Sequence, residues 1–343
     1  MSEVPPIIVR IAVPSPLRRH FDYRLPRGSA PPPRGARVRV PFGRRALIGL
    51  VLGHGEASAL PAERLKPIDT VLDATPLLSE ELLGFIEWAA DYYHHPIGDA
   101  LHTALPVTLR RGMAAAPRGE EWVSLTAAGR ELAPQALARA PRQRAVVAVL
   151  AAAPAEGLAM AALAERIPQA RSALRTLAAK GRVQVDLHEP APAAVPAARP
   201  GPALTDAQQQ AVSTITAALG GFHGFLVHGI TGSGKTEVYL RAVDAAVAGG
   251  GQALVLVPEI GLTPQLIQRF RERLKAPLVV MHSGLNESER HNAWLAARAG
   301  RAAIVLGTRS AVFAPLPRLK LIIVDEEHDG SYKQQDGFRY SAR

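Results

Sequence analysis

Cysteine is absent from the 343 residues. That excludes disulfides and any thiolate metal site in this chain, and it fits a reducing compartment. Aromatic residues are scarce, at 5%. Acid is in deficit: 30 Asp and Glu stand against 40 Lys and Arg, a net charge of +10. An excess of this size favours a polyanionic partner, most simply nucleic acid; the plain alternative is an Arg-biased solvated surface. The imbalance is steepest at the start, where residues 1–45 hold ten Arg against only Glu3 and Asp22. Long apolar runs are also missing: none approaches the ~20 residues of a membrane helix. The opening Met1–Pro14 lacks a signal-peptide layout, because its apolar run is short and flanked by proline. Together these absences predict a soluble, cytoplasmic protein with no membrane association.

What is present is dominated by Gly229-Ile230-Thr231-Gly232-Ser233-Gly234-Lys235-Thr236, which reads G-x-x-x-x-G-K-T. The apolar Phe225-Leu226-Val227 before it reads as a buried strand, and Glu237 onward has helical spacing. Glycines at 229, 232 and 234 let the backbone wrap closely, so that its N–H groups, with those of Thr231 and Ser233, face phosphates. The helix that follows adds its positive end. Lys235 is expected to reach the β- and γ-phosphates of ATP and Thr236 to hold Mg²⁺. Further on, Leu321–Val324 is an apolar strand ending in Asp325-Glu326-Glu327-His328. Asp325 is placed to hold Mg²⁺, and Glu326 to orient and deprotonate the attacking water. Gln208, just inside a helix opened by Thr205, could read an adenine edge with its amide; the plain alternative is an N-cap followed by an exposed Gln.

Other stretches suggest nucleic-acid contacts. Thr263 caps a helix with Pro264 at its first position, and Thr308 and Arg309 follow a strand end at Ile304–Leu306. Both present helix N-termini or hydroxyls to a phosphate backbone. Tyr332, Phe338 and Tyr340, three aromatics within nine residues, lie among Lys333, Arg339 and Arg343. Aromatic faces with cations suit stacked single-strand bases; the alternative is a hydrophobic loop at a domain interface. His94, His95 and His102 invite a metal site, but adjacent histidines usually diverge, and a helix end accounts for them.

The chain divides by pattern. Residues 1–112 begin with alternating strands over Ile7–Val13 and Ala36–Pro41 and a more continuous apolar strand over Leu47–Leu52, then a helix capped by Ser79 with Leu82, Leu83, Ile86, Ala89, Ala90 and Tyr93 inward. Residues 113–188 read helix–helix–helix–strand near 143–152, 160–166, 169–180 and 183–187, a winged-helix pattern. Its third helix carries Arg171, Arg175 and Lys180, which leaves DNA binding and a spacer role both open. Residues 189–203 are a Pro/Ala-rich linker. Residues 204–343 alternate helices with strands at 225–227, 253–257, 278–281, 303–306 and 319–324, which predicts a parallel sheet covered on both faces. The fold class expected is multidomain α+β and α/β: a small β-rich domain, a winged helix, then a P-loop (RecA-like) lobe.

The segments 229–239, 257–265, 282–286, 307–311 and 325–329 resemble the replication-restart helicase family PriA, as do Phe21-Asp22-Tyr23, Val40–Gly43 and Asp91–Asp99. The resemblance covers nearly the whole chain and is loose only over 115–200. It implies an ATP-dependent, superfamily 2, 3′→5′ DNA helicase that recognises stalled forks and initiates primosome assembly. It further implies an N-terminal domain holding the 3′ end of the nascent strand, with Phe21 stacking on the terminal base, Asp22 accepting the 3′-hydroxyl, Gly43 letting the strand approach and Lys66 reaching a phosphate. Asp22 is notable in its own right, since a lone carboxylate among arginines would repel DNA unless it met a donor; pairing with a neighbouring Arg is the alternative. Primosome proteins, single-strand-binding protein and the replicative helicase loader are the partners implied, with a monomeric state. Relative to the family, this chain stops at Arg343 within the aromatic-rich loop, without a second helicase lobe or the cysteine-rich zinc module. Zinc is therefore not expected here, and the chain is expected to bind DNA and ATP without unwinding. The competing readings are a DNA-binding adaptor with a remnant ATP site, and another superfamily 2 DNA translocase. A DNA-stimulated ATPase assay separates enzyme from adaptor.

Overall fold

The computed structural model describes residues 7–55, 57–132, 134–138, 140–167, 170–188, 201–230 and 232–343. The expected linker over 189–203 lies mostly outside them, as do Thr231 and Gln169. The chain divides into two units, Met1–Ala116 together with Pro192–Arg343, and Pro117–Ala191.

The first unit begins with a five-stranded antiparallel sheet. Its strands are β1 (Ile8–Ala12), β2 (Phe21–Arg24), β3 (Arg37–Phe42), β4 (Arg45–Gly55) and β5 (Thr70–Val71), in the order β2-β1-β4-β3-β5. Period-two alternation builds it: Val9, Ile11, Val38, Val40 and Val51 are fully buried, while Arg10 and Arg39 point out. Arg37 breaks the pattern. Alternation places it outward with Arg39, yet its side chain is 1% exposed. Asp73 accepts from its Nε and Nη2 at 2.8 Å each, and Leu109 and Met113 carbonyls accept from Nη1, also at 2.8 Å. A buried guanidinium persists only when its donors are used in this way. Three helices follow: α1 (Glu80–Tyr92), α2 (Ile97–Ala104) and α3 (Val107–Arg110). Ser79 caps α1 by accepting from the Leu82 N–H, and Leu83, Ile86, Ala89 and Ala90 form its buried stripe as the spacing predicts. Gly98 on α2 sits so close to β1 that a Cβ there would lie 1.7 Å from the Val13 carbonyl oxygen.

The second unit contains β6 (Glu120–Leu125), α4 (Ala127–Arg130), α5 (Pro141–Ala151), β7 (Leu158–Ala159), α6 (Met160–Arg166), α7 (Ala170–Ala179) and β8 (Val183–His188). An antiparallel sheet, β7-β6-β8, closes a core of Val123, Val146, Leu163, Leu174 and Leu177. Helices α5–α7 with this small sheet make the winged-helix arrangement. β6 escaped the sequence pattern because only Val123 and Leu125 turn inward. Arg171, Arg175 and Lys180 are exposed, and Arg171 pairs with Glu121 at 3.4 Å.

The first unit resumes with α8 (Asp206–Ala217), α9 (Lys235–Ala248), β9 (Gln252–Leu256), α10 (Pro264–Arg273), β10 (Leu278–Met281), α11 (Glu287–Arg298), β11 (Ile304–Gly307) and β12 (Leu319–Val324). The four strands are all parallel, in the order β10-β11-β9-β12. β9 is buried on both faces, as a central strand must be. One face packs on Leu240, Val243, Phe270 and Leu274; the other joins Trp294 and Leu295 to a core continuous with α1–α3.

One expected strand is corrected. Phe225–Val227 forms no strand: residues 222–230 lie outside helix and sheet, with Leu226 79% exposed. An apolar run reports a capacity to pair, and here the glycines at 220, 221 and 224 weaken the ordering of that pairing. The segment faces β12 and α9 across an open cavity of about 960 Å³.

Candidate functional site

The phosphate-cradling loop enters α9 through two glycines that need the left-handed region, Gly232 at φ 82° and Gly234 at φ 83°. Gly234 is the N-cap of α9, so Lys235 and Thr236 open the helix. The Lys235 ammonium donates to the Gly229 carbonyl at 2.8 Å and reaches Ile230 O at 3.4 Å. Gln208 is committed at both ends: its Oε1 accepts the Thr205 N–H at 3.0 Å, and its Nε2 donates to Ser233 O at 2.9 Å. It thus completes a capping box and grips the loop. A Cβ on Gly234 would meet this amide at 2.4 Å.

Asp325 and Glu326 follow β12 directly. The Asp325 N–H extends the ladder to Leu256 O, and Glu326 takes a left-handed φ of 46°. Such a backbone in a non-glycine residue is strained and turns the side chain away from the strand line. Burial pushes the Asp325 carboxyl above the usual carboxylate range, opposed by the Tyr239 hydroxyl and the Lys235 cation. Lys235 and Tyr239 both belong to α9, so the helix that starts at the P-loop faces the acid at the strand end. Tyr332 donates to Asp325 O at 2.6 Å, with Leu256 O at 3.0 Å. Burial pushes the Tyr239 and Tyr332 hydroxyls up, so both remain donors at neutral pH. Thr236 and Asp325 are hard oxygen donors of the kind Mg²⁺ accepts in small number beside phosphate and water, so they fit that ion. Among the described residues no group of three His, Cys, Asp or Glu gathers for a metal, including His94, His95 and His102.

A link not foreseen from sequence joins α9 to α10. Glu237 accepts from Arg273 at 2.7 Å and from Arg241 at 3.0 Å. The Arg273 hydrogen bond is the main reason its carboxyl is held below the usual range. Thr263, at the other end of α10, caps it through the Leu266 N–H. Thr308 is buried, and Arg309 donates to Ser331 O and Lys333 O at 3.1 and 3.2 Å.

The aromatic-rich stretch behaves differently from expectation. Tyr332, Phe338 and Tyr340 are 1%, 3% and 2% exposed. Phe338 stacks with His95 at 5.0 Å and Phe313 at 6.0 Å, and Tyr340 meets Phe313 edge-on at 4.8 Å. Base stacking needs an open ring face. In this arrangement the protein's own rings take those faces, and burial pushes the Tyr340 hydroxyl up to about 12. Lys333 stands over the Tyr93 ring at 5.1 Å.

At the sheet edge, β2 carries Phe21 and Asp22. The Phe21 ring meets Phe42 edge-on at 5.1 Å, with the Arg19 guanidinium over it at 5.0 Å. Phe42 precedes Gly43, whose φ of 60° makes the β3–β4 turn and whose missing Cβ would face open space. Lys66 is exposed, and its carbonyl accepts the Arg24 N–H at 3.0 Å, which pins it beside β2. Phe21 thus lies beside the turn that holds Gly43, and the Lys66 backbone lies beside the end of the strand that carries Asp22. Asp22 forms no ion pair with a neighbouring Arg among the described residues. Its Oδ2 accepts from the Ser58 hydroxyl at 2.6 Å, and its Oδ1 is shielded from solvent without a partner. A single-sequence reading had no signal for Ser58, which lies in an irregular loop.

Two family models match this chain. The family model of a 3′ DNA-binding domain (3′BD) matches residues 10–106, and that of a DEAD/DEAH box helicase matches residues 205–343. Replication restart protein PriA of Haemophilus influenzae is 38% identical over 346 residues, covering 98% of this chain and 46% of the relative. The chain resembles PriA proteins along almost its whole length. The Bacillus subtilis PriA is 33% identical, covering 95% of this chain and 49% of that relative, and the Treponema pallidum PriA is 32% identical over 96% and 39%. The chain thus spans about half the length, or less, of the curated relatives it matches. Asp22 and its neighbours fall within the range matched by the 3′BD model, and the P-loop and Asp325 within the range matched by the helicase model. A DEAD/DEAH box helicase domain uses ATP with Mg²⁺ in general. No described helix is long and apolar enough to cross a membrane.

Proposed function

We propose that this chain binds Mg·ATP between the P-loop and Asp325, and holds the 3′-hydroxyl end of a DNA strand at Asp22. It does so as part of an ATP-dependent 3′→5′ DNA helicase that recognises stalled forks and initiates primosome assembly. The observation that carries the reading is the opposition of Lys235, at the start of α9, to the half-buried Asp325 at the carboxyl end of β12. Ligands of open α/β sheets lie at that end. Backbone N–H groups of residues 232–236 would face the phosphates, Lys235 the β- and γ-oxygens, and Thr236 with Asp325 would hold the ion, which supplies charge neutralisation of the phosphates. Glu326 orients and deprotonates the attacking water. Gln208 reads the adenine edge only by exchanging one of its two hydrogen bonds. Thr263, Thr308 and Arg309 support a phosphate backbone, and Tyr332, Lys333, Phe338 and Tyr340 transmit its binding to Asp325 through the Tyr332 hydroxyl. The domains are taken as 1–112, 113–188 and 204–343, with 189–203 as linker. Forked and single-stranded DNA, single-strand-binding protein, primosome proteins and a helicase loader are the partners this reading implies, for a cytoplasmic monomer.

Lys235→Ala tests it by calorimetry. Mg·ATP affinity is expected to weaken by about 1.5–3 kcal/mol, the range for a hydrogen bond to a charged group. Equal affinity for the two proteins would remove the assignment.

A further inference from the structure

We propose that Ser58 is the positioning residue that sets the discrimination of strand ends at Asp22. The inference rests on the reading of Asp22 as the acceptor for a 3′-hydroxyl.

A carboxylate can turn about its terminal torsion, and the two oxygens are chemically equal until something distinguishes them. Here Ser58 does so. Its hydroxyl donates to Asp22 Oδ2 at 2.6 Å, and its oxygen accepts the Leu60 N–H at 3.2 Å. The Leu60 bond uses a lone pair and leaves the single hydroxyl proton for Asp22, so the direction of the Ser58–Asp22 bond is fixed. The carboxylate plane is then set, and Oδ1 is the oxygen left shielded and unpartnered. A buried acceptor without a donor is costly, and a strand end that parts the groups covering Oδ1 and brings a donor recovers that cost. A strand ending in a hydroxyl brings one; a strand ending in a phosphate brings acceptors and negative charge.

The competing position for Asp22 is also visible. Arg10 on β1 is its cross-strand partner in the sheet register. The Arg10 guanidinium is nevertheless turned over Gly55 on β4, where its Nη2 would lie 3.2 Å from a Cβ. A carboxylate released from Ser58 is free to swing toward that cation. Pairing there would satisfy the acid and remove its preference for a hydroxyl-bearing end. Ser58 thus acts on the DNA through Asp22, without needing to touch the strand.

The test is fluorescence anisotropy of the full chain with two oligonucleotides that differ only in a 3′-hydroxyl or a 3′-phosphate. Wild type is expected to prefer the hydroxyl end by about tenfold, the scale of one charge-assisted hydrogen bond. Ser58→Ala is expected to reduce that ratio to near one, chiefly by losing affinity for the hydroxyl end, with binding of Mg·ATP unchanged. Ser58→Thr keeps the hydroxyl and is expected to restore the ratio, which a role in loop packing alone would not. If Asp22→Ala abolishes the preference while Ser58→Ala keeps the wild-type ratio, the role of Ser58 is overturned and that of Asp22 stands. If wild type itself binds both ends equally, the Asp22 reading falls and takes this one with it.

Discussion

Single buried groups decide more of this molecule than its surface charge. Arg37 is the clearest case: five donors inside a small domain, four contacts at 2.8 Å, and Asp73 as the only counter-charge described for it. Removing one partner of such a pair leaves an uncompensated charge. Asp73→Ala should therefore cost about 3–5 kcal/mol by urea unfolding, whereas Arg37→Met with Asp73→Leu should recover most of it. A loss below 1 kcal/mol for Asp73→Ala would mean that water reaches the guanidinium. His102 gives a pH dependence. Burial lowers its pKa from the ordinary 6.5, against the bond between Nε2 and Ile48 O. Burial lowers that of His95 as well. The unfolded chain then takes up protons near 6.5 that the native protein refuses. Stability is complete above that value and falls as pH drops from it toward the depressed native values. Thermal midpoints at pH 7.5 and 5.5 should differ in that direction, and His102→Gln should shrink the difference.

At the scale of elements, α11 is the piece that joins the parallel sheet to the helices that follow the five-stranded antiparallel sheet. The Trp294 indole donates to Ala104 O at 3.1 Å, and Arg298 donates to Leu77 O and Pro76 O. His291 is fully buried between Thr108 and the Ala116 carbonyl, at 2.7 and 2.8 Å. Since that carbonyl can only accept, Nε2 carries the proton and the Thr108 hydroxyl donates to Nδ1. Trp294→Ala removes the largest of these anchors and should cost about 3–5 kcal/mol. Calorimetric scans should then resolve two transitions where wild type has one for this unit. A single unshifted transition would show the joint to be independent of α11. The Glu237–Arg273 pair ties α9 to α10 in the same manner, linking the helix that begins after Gly234 to the helix capped by Thr263.

For the molecule as a whole, the charge of +10 is a statement about partners. Arg19 stands over Phe21 and the Lys66 backbone bonds to Arg24 on β2, so the proposed DNA end would meet two or three phosphate contacts there. Counterion release then predicts that single-strand affinity falls about tenfold between 50 and 200 mM salt. Titration by anisotropy at four salt concentrations measures the slope. A flat response would mean that the basic surface is a solvated face and that binding rests on the terminal hydroxyl alone.

Much of this was legible in the amino-acid order. The P-loop needs glycine where φ is positive, and the chain supplies Gly232 and Gly234 there. Alternation placed β1 and β3, and apolar runs placed β4 and β9 to β12, because both reflect which side of a strand meets the core. Asp22 stood out as a carboxylate among arginines. Tertiary structure decided the rest, for reasons that no local pattern carries. Arg37 points inward because Asp73 and the carbonyls of 109 and 113 converge on it from 36 to 76 residues away. Phe225–Val227 has strand chemistry but remains unpaired, since pairing depends on the docking of a neighbour. The aromatic-rich stretch is read from composition as a stacking surface; its rings are buried because Phe313 and His95 arrive from other elements. Ser58 meets Asp22 only when an irregular loop folds back on β2, and so it was the fold that made one carboxylate oxygen different from the other.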